Sequence, residues 1–544
     1  LGDRLTRPEP EKMTTTDRYI LAIDLGTSGC KVGLVSVAGA VVAWAFRPVQ
    51  LMVVDKVGAE QNPEDWWTAF IGAAREVLAQ KAVAPSDIAA ICASTQGEGT
   101  VAVDRDGRPL MNAVIWLDMR GARYLKQQMR GRLKIAGYDA MKLQKWLRLC
   151  GGAPALSGKD PAGHMLMIRE AYPEIYAKTY KFLNVLDFFN LRLTGRFCAT
   201  QDSILTSWVT DNRDVDNIRY DDGLIAMSGI DRDKFPDLVR CTDVIGTLSP
   251  SAAESLGLPA TIPVVAGAID NTAAAIGAGT QADYEGHLYM GSSSWIAAHV
   301  PFKKTNVLTQ IASVPCAVPS KYLMMAMQSS GASNIAFLKD RIVFHKDGLI
   351  DAEPSIDTYR ILDEIAARVP AGADGAMYLP WLFGERSPVD DRSLRAGLFN
   401  LSMEHNRETL VRAVFEGVAL NTRWMMKPVG AFLGRRLEQL TMIGGGAMSD
   451  AWCQIFADVL DVRIRQAQDP VKANARGAAF IAAVGLGLLR FEDVPRRVAI
   501  GRSYEPRRAN RQLYDDLFGT FIELHRRLAP VYRRLNGKQE EWNG

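Results

Sequence analysis

The stretch Leu21–Val37, LAIDLGTSGCKVGLVSV, sets one carboxylate, Asp24, and a Gly26-Thr27-Ser28 turn between two apolar runs. Tyr19 to Asp24 and Lys31 to Val37 have the length and composition of strands, and the glycine- and hydroxyl-rich joint between them reads as a hairpin turn. A carboxylate in such a run is costly unless it is paired, hydrogen-bonded or near a cation, so a strand end opening on a cleft is its natural place. The turn adds backbone N–H groups and hydroxyls in a concavity that suits phosphate. A metal-bound nucleotide would use both features. A plain hairpin whose Asp caps its own backbone would also explain them, and this stretch alone leaves both readings open.

Later in the chain HLYMGSSSWIAAHV, His287–Val300, repeats the design: an apolar strand enters a turn, Gly291-Ser292-Ser293-Ser294, and leaves as a second strand. Two copies predict a duplicated fold whose halves face each other across a cleft, each turn holding a phosphate chain from its own side. Between the strands the period changes to that of helices. Asn62 to Ala79 carries Trp67, Phe70, Ile71, Ala74, Val77 and Leu78 on one face, with Pro63 near its start. DIAAICAS then reads as a buried strand and NAVIWLDMRG as a strand running into a polar end. Asn406–Thr422 and Asn510–Leu528 read as amphipathic helices, the second closing the chain. Alternating strands and helices predict an α/β fold.

Two further motifs carry chemistry. In PVVAGAIDNTAAAIGAG, Asp270 closes an apolar strand and opens a helix of small residues, with Asn271 next to it. The position suits a general base facing a ligand, and equally a simple N-cap. In MIGGGAMSD, Gly444 to Gly446 let the backbone approach a flat or anionic ligand, and Ser449 is placed to cap the following helix. No G-x-x-x-x-G-K-[ST] run occurs, which excludes a P-loop site. The expected divisions are a tail at 1–18, with Met13 as an alternative start, a first domain at 19–279, a second at 280–503 and a helical tail at 504–544.

Composition narrows the classes. Sixty-four basic against 61 acidic residues give a net charge of +3 over 544 residues, without a long single-sign run, so nucleic-acid binding is not expected. No apolar run reaches the roughly 20 residues of a membrane span. The seven cysteines are scattered without a C-x-x-C pair, as in reduced thiols of a cytoplasmic protein.

Taken in order, IDLGTSGCKVGLV, GAEQNPEDWW, NAVIWLDMRG, LTG at 193–195, VVAGAIDNTAAAIGAG, MGSSS, LPWLFGERSP, RAVFEGVAL, IGGGAMSDAWCQIFADVL and ARGAAFIAAVGLG resemble the motifs of the FGGY carbohydrate kinases, the group that holds xylulokinase and glycerol kinase. The likeness runs from about Tyr19 to about Gly487. It implies two ribonuclease H-like domains of the actin and Hsp70 type, with ATP and Mg2+ between them and a sugar deeper on the first domain. By the same resemblance, Asp24 and Asp270 hold the metal through water, and Asp270 is the catalytic base. Gly26, Thr27, Ser28, Lys31, Gly291, Ser292 and Ser293 serve the phosphates; Gly445, Gly446 and Ser449 serve the adenosine. It further implies a homo-oligomer, a dimer or tetramer.

The sugar pocket is expected at Gln96, Glu98, Trp116, Asp118, Arg120, Asp270 and Asn271. Alternation puts Trp116, Asp118 and Arg120 on one strand face beside Glu98, although Asp118 and Arg120 could instead pair with each other. The loop Thr95-Gln96-Gly97-Glu98-Gly99-Thr100 has neither the Met-His-Gly of xylulokinases nor the Arg-Glu of glycerol kinases, and looks more like that of kinases of L-xylulose or small polyols. The expected reaction is ATP-dependent phosphorylation of a ketopentose. A polyol kinase, an actin- or Hsp70-like ATPase with a protein partner, and an inactive sugar sensor stand as alternatives. Glu385 and Arg386 of FGERSP are expected to brace the second domain.

Overall fold

The computed structural model describes residues 18–55, 57–135, 137–343 and 357–537; Met13 and most of the expected leading tail lie outside them. A six-stranded sheet forms the first half. Its strands are β1 (Tyr19–Gly26), β2 (Gly29–Ser36), β3 (Val41–Pro48), β4 (Ile88–Thr95), β5 (Val244–Thr247) and β6 (Pro263–Ile269), in the order β5-β6-β4-β1-β2-β3. The three-strand run β1-β2-β3 is antiparallel, while β1, β4 and β6 run parallel.

The second half holds an eight-stranded sheet of β7 (Gly286–Met290), β8 (Ser294–Val300), β9 (Thr305–Asn306), β10 (Ile311–Pro315), β11 (Tyr322–Gln328), β12 (Gln439–Ile443), β13 (Arg463–Ala467) and β14 (Ile500–Tyr504). Its order is β9-β10-β11-β8-β7-β12-β13-β14. The segment β11-β8-β7-β12-β13 repeats the pattern β3-β2-β1-β4-β6: an antiparallel trio, then two parallel strands. The duplication read from the two glycine turns is therefore a duplication of sheet topology.

Each sheet is covered on both faces, so its strands read as near-continuous apolar runs. In β1, Leu21, Ile23 and Leu25 face α1 (Pro63–Ala79) and α3 (Val185–Thr194), while Ile20 and Ala22 face the other way. That second face meets α4 (Asp270–Gly277) and α7 (Ala473–Gly485), which share one core with Trp295, Ala297, Leu323 and Met325 of the second sheet. The small residues make this junction possible. A Cβ at Gly277 would stand 1.8 Å from the Ala473 carbonyl oxygen, and one at Gly477 would stand 1.9 Å from that of Ala273. Reciprocal glycines let the two helices cross backbone to backbone.

The helix α1 starts as expected, with the Asn62 side chain accepting from the Glu64 N–H and proline in the first turn. Other elements differ from expectation. The helix read over Asn406–Thr422 continues as α5 (Arg407–Leu433). The closing helix α8 (Arg511–Asn536) is no separate tail. Its Tyr514 hydroxyl receives Arg412 Nη2 at 2.9 Å and donates to Glu416 Oε1 at 2.8 Å, all buried within the second half. NAVIWLDMRG pairs as a strand only at Ala113–Val114; the Asp118 N–H then bonds the Ile115 carbonyl at 2.9 Å and turns the chain away.

Candidate active site

The register of the first sheet brings the expected acids together. Asp24 on β1 lies opposite Ser94 on β4, Ser94 lies opposite Ala268 on β6, and Asp270 follows two residues later. Parallel neighbours stand about 4.8 Å apart, so Asp24 and Asp270 sit at the carboxyl ends of strands one position removed, roughly 10 Å across. Ligands of open α/β sheets bind at such strand ends.

Asp24 is 2 % exposed and pairs across the hairpin with Lys31, whose Nζ donates to Asp24 Oδ2 at 2.9 Å. The Asp24 charge raises the Lys31 pKa against the opposing effect of burial. Asp270 is the first residue of α4 rather than its cap, that place being held by Ile269, so the N-cap alternative fails. Burial pushes its carboxyl up to about 7; the negative charges of Asp24 and Glu98 push the same way, and the Asn271 N–H and Lys31 oppose them. Asp202, unremarked in the sequence, pins this turn: its Oδ2 accepts the Ile269 N–H at 3.0 Å and its Oδ1 the Thr200 hydroxyl at 2.6 Å.

The first turn is tied to the pocket by a relay of amides. Trp116 Nε1 donates to the Thr27 hydroxyl at 2.9 Å, Thr27 donates to Gln96 Oε1 at 3.0 Å, and Gln96 Nε2 donates to Gln61 Oε1 at 2.8 Å. Gln61 returns to the Thr27 carbonyl at 2.8 Å. Gln96 is thereby engaged through both ends of its amide, and Trp116 presents only its half-buried ring. Ser28, Ser292 and Ser293 keep side-chain hydroxyls without a hydrogen bond among the described residues. Gly26 precedes Thr27 at the end of β1, where an added Cβ would touch only the Gly29 carbonyl, at 3.9 Å.

In the second half, Tyr289 stacks on Trp295 at 3.8 Å and 5° and senses the charges of Lys31, Asp24 and Asp270. The two hairpins thus face each other. Gly291 lies against the Tyr289 ring, where a Cβ would come within 2.5 Å. The Gly444–Gly446 turn follows β12, the parallel neighbour of β7; Gly444 adopts φ 89° against the Met290 backbone, and Gly445 faces open space. Ser449 caps α6 (Asp450–Leu460) by accepting the Trp452 N–H at 2.9 Å, and its hydroxyl donates to Asp363.

The expected face of Trp116, Asp118 and Arg120 is corrected. Asp118 is 0 % exposed and accepts from Ala59 N at 2.8 Å and Arg120 Nε at 2.9 Å, while Arg120 Nη2 reaches Glu60 at 2.6 Å. Because the strand ends at Val114, alternation no longer applies, and these two side chains brace the loop under the pocket. Glu385 braces likewise: its carboxylate accepts from Ser329 N, Arg386 N and Asn421 Nδ2, and burial pushes it up to about 7. Glu98 differs from both. It holds φ 59°, is half-buried, and makes no hydrogen bond or ion pair among the described residues.

The residues accommodate a divalent cation. Two carboxylates, the charge of Asp24 raising the cost of ionising Asp270, with open hydroxyls beside them and no metal-holding group of three or more His, Cys, Asp or Glu among the described residues, suit Mg2+, which keeps several waters and takes substrate phosphates as ligands.

A duplicated sheet with a glycine- and hydroxyl-rich turn on each half defines a two-domain protein of the actin-like fold class. The comparisons specify it further. Residues 19–277 match the N-terminal domain and 288–486 the C-terminal domain of the FGGY family of carbohydrate kinases. The chain belongs to that family and is a phosphotransferase with an alcohol group as acceptor. A xylulose kinase from Bacillus subtilis is 28% identical over 513 residues, covering 93% of this chain and 97% of the relative. The gluconate kinase structure from Lactobacillus acidophilus superposes with TM-score 0.80 at 22% identity, covering 95% of this chain and 99% of that one. A ligand-bound xylulose kinase structure from the same organism gives 0.80 at 22%, covering 95% and 100%.

Proposed function

We propose that this kinase transfers the γ-phosphoryl group of ATP to a hydroxyl of a ketopentose. The observation that carries the reading is the convergence of Asp24 and Asp270 at the carboxyl ends of β1 and β6, on either side of β4, with the charge of Asp24 raising the pKa of Asp270. The xylulose kinases among its relatives support a ketopentose as acceptor.

Phosphoryl transfer asks the protein for position and charge rather than covalent chemistry. Asp270 takes the proton of the attacking hydroxyl at its carboxylate, a role that needs the ionised form and so fails below about pH 7. Asp24 and Asp270 are the residues that would hold Mg2+, which when bound would offset charge on the transferred group. Lys31, Thr27 and Ser28 face the phosphates from one side and Gly291, Ser292 and Ser293 from the other; Gly445 leaves room for the adenosine beside Ser449, while Gly446, expected there too, is packed against Met290 and Trp452. Glu98, Asn271 and the Trp116 ring hold the sugar. Closure of the two halves, divided near Thr280, excludes water and suppresses ATP hydrolysis. The same reading places the enzyme in the cytoplasm, as an oligomer.

A polyol acceptor is the second reading, favoured by the QGEGT loop that presents Glu98. The test is coupled ADP release over D-xylulose, L-xylulose, D-ribulose, xylitol, erythritol and glycerol. A ketopentose should give the largest stimulation, and Asp270→Asn should lower it by about 10³-fold. A panel in which no member raises ADP release would refute both the ketopentose and the polyol readings.

A further inference from the structure

A cavity lined by Trp146 and by Ala162 and Leu166 of α2 (Pro161–Ala171) holds about 10 Å³, room for a single water. A cleft of about 390 Å³ opens on the second half, between the end of α6, the strap that leaves β14 and the start of α8. Its walls carry Asp458, Asp461, Glu505, Arg507, Arg508 and Arg511. Small-molecule sites span roughly 300–1,000 Å³, so this one can take a ligand. The helix α6 is 11 residues long, and at about 1.5 Å per residue the cleft lies roughly 16 Å from the Ser449 end.

One acid fixes the strap. Asp458 is 3 % exposed, and its carboxylate accepts the Arg507 N–H at 2.8 Å, Asn510 Nδ2 at 2.8 Å and Gln454 Nε2 at 2.9 Å. At the other end of the strap the Tyr504 hydroxyl donates to Asp450 Oδ1 at 2.7 Å. The backbone that carries Arg507 and Arg508 is thereby held along α6. The remaining acids are half used. Arg436 and Arg511 both reach Asp461 Oδ2, each at 2.7 Å, and Arg463 pairs with Glu505 Oε1. Asp461 Oδ1 and Glu505 Oε2 accept no hydrogen bond among the described residues. The exposed guanidiniums of Arg507 and Arg508 make no hydrogen bond or ion pair among them either.

We propose that this cleft binds a phosphate monoester of a small polyhydroxylated molecule, a sugar phosphate, with Arg507 and Arg508 on the phosphate and Asp461 Oδ1 and Glu505 Oε2 on the hydroxyls. Guanidinium forks match pairs of phosphate oxygens. Carboxylate oxygens accept from hydroxyls and repel a bare anion. A wall that offers both groups selects the ester over inorganic phosphate and over the unphosphorylated sugar. No aromatic side chain lines the cleft among the described residues, so a nucleobase finds no stacking platform there. The site stands apart from the hairpins and does not depend on the kinase reading, although the product of that reaction belongs to the same ligand class.

The experiment is hydrogen–deuterium exchange of the full chain titrated with D-xylulose 5-phosphate, D-ribose 5-phosphate, inorganic phosphate or D-xylulose, with and without a saturating non-hydrolysable ATP analogue. Peptides over 500–515 report the cleft, and those over 21–37 and 287–300 report the hairpins. At least one ester should slow exchange over 500–515, whether or not the analogue is bound, at a concentration at least tenfold below that needed with inorganic phosphate. Protection by D-xylulose 5-phosphate alone would tie the site to the product of the proposed reaction, and protection by both esters to the wider class. Arg507→Gln combined with Arg508→Gln should weaken the protection at least tenfold and leave the melting temperature unchanged, and the paired Lys variants should recover part of it. No protection by either ester, equal potency of inorganic phosphate or D-xylulose, or undiminished protection in the Gln variant would each overturn the assignment. Protection over 500–515 in a chain that phosphorylates no member of the acceptor panel would uphold it and defeat the kinase reading instead.

Discussion

The hairpins β1-β2 and β7-β8 have the same topology and differ in chemistry at the cross-strand pair beside the turn. Two residues before its turn glycine the first hairpin has Asp24, paired with Lys31; the second has Tyr289, paired with Trp295. One pair is an ion pair of 2.9 Å and the other a ring stack of 3.8 Å. The duplicated backbone supplies turns and N–H groups on both sides of the cleft, whereas a charged group that can hold a cation appears on one side only. The aromatic side is structural. Trp295 is buried in the core shared by α4 and α7, and its Nε1 donates to His287 Nε2 at 3.2 Å, an acceptor kept neutral because burial pushes His287 down to about 3.

Substitutions at the two pairs should therefore fail in different ways. Asp24→Asn should lower kcat by about 10²–10³-fold with its melting temperature nearly unchanged, since it removes charge stabilisation of the transferred group and little packing. Trp295→Ala should do the converse, costing about 3–5 kcal/mol in denaturant unfolding, because it opens a cavity and strips His287 of its donor. A Trp295→Ala chain of normal stability would remove the contrast. For pH, the sign follows from Asp270: its carboxyl sits near 7, so kcat/KM for the sugar should fall about tenfold per unit below that value. Tyr289→Phe should leave that limb in place and change KM for ATP by less than about threefold, the stack being kept when the hydroxyl is lost.

Much of this was legible in the residues. The hairpins, the helix at Pro63, the Ser449 cap and the two acids follow from apolar period and turn chemistry, which are local properties. What escaped was set by contacts distant in sequence. Asp118 and Arg120 look like pocket residues until Glu60 and the Ala59 N–H are seen to claim them. Asp202 holds the turn before Asp270 from 67 positions away, and nothing around it marks that role.

The most direct test of the account is a crystal structure of the full chain with a non-hydrolysable ATP analogue, Mg2+ and the most stimulating sugar of the panel. It should place both the Asp24 and Asp270 carboxylates about 4 Å from one hydrated cation on the triphosphate. Asp270 should also lie about 3 Å from a sugar hydroxyl. A triphosphate bound with either carboxylate more than about 10 Å from it would contradict the account, because water-mediated contact could not span that gap.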